Sequence, residues 1–186
     1  MMTMIRKAIV TTKTETWFND SKTNRFVFRR QWSYEGEPVV KEKMALVITI
    51  NPVSTEPFIS DLTLMLIENN VRKLGLDGFI AVNLFSLVGK QKKKKYQVDK
   101  QGIEVIETLV KDKTITSIIF ACGSILNNQE IALEQAQSIY RLLNANQKKQ
   151  VRILTTEEGK IAHPLNAHVR AKWSLSKDVS ILEKMD

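Results

Sequence analysis

Apolar and polar positions along the chain alternate between two periods. MALVITI (44–50), GFIAVNLF (78–85) and TSIIFACG (116–123) are short unbroken apolar runs closed by turn-forming residues. VRILTT (151–156) is a shorter relative of the same kind. Runs of this length are too short for typical helices and suit strands buried on both faces. Between them the period changes to that of a helix. Leu64, Ile67, Val71 and Leu74 share one face of a segment that Ser60 can cap and Gly75 can end. Ile103, Ile106 and Leu109 with Val110 form a second stripe, and Ala132, Ala136, Ile139 with Tyr140, and Leu143 a third. The resulting β-α-β-α-β-α-β order predicts a three-layer α/β/α domain with a mainly parallel central sheet and helices on both faces.

Residues 25–34, RFVFRRQWSY, alternate only roughly and stop before the turn signal Glu35-Gly36-Glu37-Pro38. They read as an antiparallel or edge strand added to the parallel set. Residues 1–24 show no comparable pattern and are read as an N-terminal extension, with 25–186 forming a single α/β domain. A length of 186 residues suits one such domain.

Composition narrows the function classes. One cysteine excludes an intramolecular disulfide, and with two histidines leaves too few ligands for a Cys/His zinc site, so no metal is expected. Neither GxGxxG nor GxxxxGK[ST] occurs, and no cofactor is expected. No apolar stretch approaches the length of a membrane span and the first residues lack a secretory signal pattern, which predicts a cytoplasmic protein with no membrane partner. Lys and Arg outnumber Asp and Glu by 28 to 20, for a net charge of +8. That balance favours polyanionic partners such as nucleic acid. The charge is densest at Lys90 and at Lys92, Lys93, Lys94 and Lys95, which can contact phosphates or form a solvated loop.

In open α/β sheets ligands bind beyond the carboxyl ends of the strands, so polar residues closing the apolar runs are the candidates for chemistry. Asn51-Pro52 closes the first run, offering an amide donor and acceptor or simply a turn. Asn83 closes the next, either reading a ligand edge or capping a turn. Phe58 and Phe85 can stack on a ring, or serve the core. Gly123-Ser124 lies between a strand and a helix, where free N–H groups can hold a phosphate or carboxylate. Cys122 beside it reads as a buried strand-end residue. His163, before Pro164 in the last loop, can donate to developing negative charge or bond to backbone; His168 reads as a surface residue. Asp61, in the first turn of the next helix, reads as dipole compensation.

Taken in order, these pieces resemble a bacterial and phage family, domain of unknown function 1643, from about residue 25 to 175. The resemblance is carried by Arg25-Phe26 to Trp32, Asn51-Pro52, Asp61-x-Thr63, Asn83-Leu84-Phe85, the strand ending in Gly123, and Gly159 followed by His163-Pro164-Leu165. Val53 stands where the family usually has serine, and Cys122 where it usually has tryptophan. The order strand-Asn-Pro, Gly-apolar-Asn, strand-Gly, His-Pro is also similar, more distantly, to the uracil-DNA glycosylase superfamily. That similarity implies a glycosylase-like fold and a nucleobase or nucleotide ligand, free or in nucleic acid. It assigns Asn51 to a water, Asn83 to a base edge and His163 to the departing base, with Phe58 or Phe85 as stacking surface. Two functions follow as expectations: hydrolysis of an N-glycosidic bond, or non-catalytic binding in the same cleft.

Overall fold

The computed structural model describes residues 7–36, 42–59, 61–89 and 96–183. Its centre is one seven-stranded sheet. The strands are β1 (Val10–Phe18), β2 (Arg25–Tyr34), β3 (Met44–Thr49), β4 (Gly78–Asn83), β5 (Ile115–Phe120), β6 (Val151–Thr155) and β7 (Ser174–Ser176). Their spatial order is β1-β2-β4-β3-β5-β6-β7. The helices are α1 (Leu62–Lys73), α2 (Lys100–Leu109), α3 (Ile125–Asn128), α4 (Glu130–Arg141), α5 (Ala145–Gln150) and α6 (Ser180–Glu183).

The four apolar runs form the parallel centre β4-β3-β5-β6 as their pattern predicts. Along β3, Met44, Leu46 and Ile48 pack into one core while Ala45 and Val47 pack into the other. Successive side chains of a strand point to opposite faces, so a strand covered on both sides must be apolar at every position. One face is covered by α2 and α4 through Ile106, Leu109, Ala132, Ala136 and Ile139. The other is covered by α1 through Leu64, Ile67 and Val71, each buried side chain contributing roughly 1.5–3 kcal/mol.

The expectation of a mainly parallel sheet is corrected. The sheet is mixed: β1 pairs with β2, β2 with β4, and β6 with β7, all antiparallel. The cause lies at the flanks. Residues 10–18, inside the segment read as an extension, form a hairpin with β2, whose short connection permits only antiparallel pairing. Residues 25–34 are therefore an interior antiparallel strand, not an edge. Helix α1 also begins differently from the reading. Ser60 lies outside the described residues, and the N-cap is Asp61, whose side chain accepts the Leu64 N–H at 3.0 Å.

The chain leaves β3 for β4 on one side and returns across it to β5 on the other. A crevice opens at such a reversal, outside the carboxyl ends of the strands. Asn51 follows β3 there, and Cys122-Gly123 follows β5.

Candidate functional site

The last loop brings His163 to the crevice. A turn in which Thr156 N–H donates to the Lys160 carbonyl at 2.8 Å reverses the chain after β6. Ile161 then bridges back to Thr155, and Gly123 N–H donates to the Ala162 carbonyl at 3.1 Å. His163 thus comes to rest against Gly123. A Cβ on Gly123 would sit 2.9 Å from the His163 Cβ, and the Gly123 backbone has φ +73°, so only glycine fits there without strain.

The His163 ring has a defined tautomer. Its Nδ1 accepts the Leu165 N–H at 3.2 Å. Burial pushes its pKa down to about 4, against a smaller opposing pull from the Asp61 carboxylate. At neutral pH the ring is uncharged and its single proton is on Nε2, which makes it a neutral hydrogen-bond donor. His163 lines a cavity of about 220 Å³ with Ile50, Tyr96, Cys122, Gly123 and Ser124. Small-molecule pockets start at about 300 Å³, so this space suits a ring more than a whole nucleotide.

Asn83 ends β4 directly opposite Thr49 of β3. Its Nδ2 donates to the Thr49 hydroxyl at 2.7 Å, while its Oδ1 is buried with no partner among the described residues. Flipping the amide would satisfy one end and orphan the other, so in either orientation one polar edge is left over. The residue is only 7% exposed, which makes the unpaired edge costly to the fold.

Asn51 does something else. Its Nδ2 donates to the Gly89 carbonyl at 2.6 Å, and Gly89 N–H donates to the Pro52 carbonyl at 2.9 Å. The asparagine ties the loop after β3 to the loop after β4. Neither Asn51 nor Asn83 lines the His163 cavity, although all three residues stand at the same end of the sheet.

The aromatic candidates separate. Phe58 is 78% exposed on the loop between β3 and α1. Phe85 is 0% exposed and stacks on Tyr96 with ring centroids 4.4 Å apart, so as placed its ring serves the core and presents no surface to a ligand. The expected pair of free amides at Gly123-Ser124 is likewise not formed, because the Gly123 N–H is taken by Ala162 and α3 is a single turn. Cys122 is buried, its thiol 3.4 Å from the Ile48 carbonyl, and burial raises its pKa far above the ordinary range. His168 is exposed, as read. Lys92, Lys93, Lys94 and Lys95 lie outside the described residues.

One residue at this end entered the sequence reading only as part of a motif. Arg25, the first residue of β2, is 2% exposed and its Nη1 donates to the Ser54 carbonyl at 2.8 Å. The available signal was its position immediately before the buried Phe26, Val27 and Phe28, where a solvated charge does not belong.

Among the described residues no three His, Cys, Asp or Glu side chains converge as a metal site, and no helix is long and apolar enough to cross a membrane. A family model described as protein of unknown function (DUF1643) matches residues 25–165. No curated protein and no solved structure matches the chain.

Proposed function

The chain belongs to the family of proteins of unknown function DUF1643, and from that premise we propose that its cleft recognises a nucleobase or nucleotide and that the fold is glycosylase-like. The observation that carries the reading is the unpaired amide edge of Asn83 at a strand end. A primary amide offers a donor and an acceptor side by side, the pattern needed to read the edge of a base. His163 supports it as a neutral donor lining a ring-sized cavity. The orphaned Oδ1 lies below the surface, so ligand entry requires the residues above Asn83 to give way.

In the enzymatic form of the proposal the protein hydrolyses an N-glycosidic bond. Departure of the base leaves negative charge on the base and positive character on the sugar. An Nε2–H held ready at the base lowers the barrier without reorganising in the act. The target nucleotide would be flipped out of its strand to reach it. The second reading, binding without base release, is favoured by Asn51. It is neutral and its amide is engaged with Gly89, so it cannot serve as a strong base toward water.

Oligonucleotides containing uracil, hypoxanthine or an alkylated base distinguish the two. Strand cleavage after alkali treatment, lost in Asn83→Leu and in His163→Ala, supports the hydrolase. Saturable binding with no base release supports the binding module. Absence of both removes the proposal.

A further inference from the structure

We propose that Arg25 is the anion-receiving group of this cleft, taking a phosphate of the ligand between its guanidinium and the amino-terminal end of α1. The inference rests on the nucleotide reading above and narrows it: the ligand is phosphorylated, and not a free base or nucleoside.

The guanidinium is in an unusual state. It is almost completely buried, and among the described residues it makes one hydrogen bond, to the Ser54 carbonyl, and its Nε–H has no partner. It lies 5.5 Å from the centre of the Phe28 ring, which carries the Arg30 guanidinium 5.0 Å away as well. No carboxylate of the described residues comes within ion-pair distance of Arg25, whereas Arg30 on the same ring is paired with Glu68 at 3.0 Å. A buried cation is costly unless paired, and arginine presents five N–H groups in a planar fork suited to phosphate. One carbonyl leaves most of that fork unused.

The surroundings point the same way. Ser54 belongs to the loop from β3 to α1, and the N-cap Asp61 that ends this loop acts electrostatically on Arg25, which puts the start of this twelve-residue helix within range of the guanidinium. Asp61 takes the Leu64 N–H, and the Leu62 and Thr63 amides ahead of it have no acceptor within the helix. The Asp61 carboxylate acts on Arg25 without forming an ion pair with it, and is engaged in capping Leu64. Burial lowers the Arg25 pKa to about 10, a shift Asp61 partly opposes, so the group remains cationic at neutral pH. A phosphate would take the unused N–H groups of the fork, the Nε–H among them, beside the Ser54 carbonyl.

The test follows the arginine Nε–H signals of ¹⁵N-labelled full-length protein while inorganic phosphate is added, with Arg25→Gln identifying the Arg25 resonance. The expected result is a saturable shift of the Arg25 Nε–H, with affinity about ten- to hundredfold weaker in Arg25→Gln by calorimetry. Arg25→Lys, which keeps the charge and loses the fork, is expected to fall between the two and covers the case in which Arg25→Gln does not fold. An unmoved Arg25 signal in the wild type, or equal phosphate affinity in the wild type and Arg25→Lys, overturns the inference. A nucleoside without phosphate separates this from the parent reading. If it binds and phosphate does not, the anion site fails alone; if phosphate binds and no nucleoside or nucleotide base does, the base reading fails alone.

Discussion

At the scale of single residues, the candidate site is marked by groups that the described part of the fold leaves unsatisfied. Asn83 keeps a buried amide edge without a partner, and Arg25 a buried charge with one hydrogen bond. Groups of this kind lower stability unless something outside the chain completes them. Asn83→Leu is therefore expected to leave stability within about 1 kcal/mol of the wild type or to raise it, while ligand binding is lost. Urea denaturation beside a binding titration checks both halves. A drop of several kcal/mol would show that Asn83 is structural. His163 gives a pH signature with a definite sign. The unfolded histidine protonates near 6.5 and the folded one near 4, so between those values the unfolded state binds more protons. Stability from this residue is present above pH 6.5 and is lost as pH falls toward 4. Denaturation midpoints across that window are expected to decline in the wild type and to flatten in His163→Gln.

At the scale of elements, the sheet end is assembled by close approaches between loops. Gly123 is the tightest, since any side chain there meets His163. Gly123→Ala is expected to cost about 1–3 kcal/mol and to shift the His163 titration toward 6.5, read from the ring resonances by NMR. An unchanged midpoint would mean that the backbone absorbs the methyl elsewhere. Comparing Asp61→Asn with Asp61→Ala separates the cap of Asp61 from the charge it exerts on Arg25 and His163, since both variants lose that charge. Asn is an equally good N-cap, so Asp61→Asn is expected to retain the stability that Asp61→Ala loses, about 1 kcal/mol, in thermal or urea unfolding.

The elements also show what the sequence made legible. The parallel strands and the three main helices could be read because each buries a regular apolar pattern. β1 could not, because VTTKTETWF has no buried residue and so carries no burial period. β7 has three residues, too few for any period. Missing these two strands made the sheet look mainly parallel. The polar breaks at Asn51, Asn83 and His163 were visible because each interrupts or follows an apolar run. Their partners were not, since the Thr49, Gly89 and Leu165 contacts depend on register and loop path. Arg25 entered the reading only as part of the Arg25-Phe26 motif, because its burial depends on the pairing of β2 with β4 and on the path of the loop that carries Ser54.

At the scale of the molecule, a candidate cleft where the chain reverses direction across the parallel strands of a mixed sheet is combined with a net charge of +8. If the ligand is part of a nucleic acid, affinity is expected to fall steeply with salt, as counterions are released on binding. A mononucleotide in the same cleft would show a shallower dependence. The proposed recognition of a base rests on the order of motifs, the neutral donor at His163 and the unfilled edge at Asn83. The most direct measurement is NMR of the Asn83 side-chain amide and the His163 ring during titration with nucleotides and with uracil- or hypoxanthine-containing oligonucleotides. The expected result is that both signals shift together to one saturation point, and that Asn83→Leu abolishes the shift at His163. Binding that perturbs surface lysines and leaves Asn83 and His163 unmoved would contradict the account.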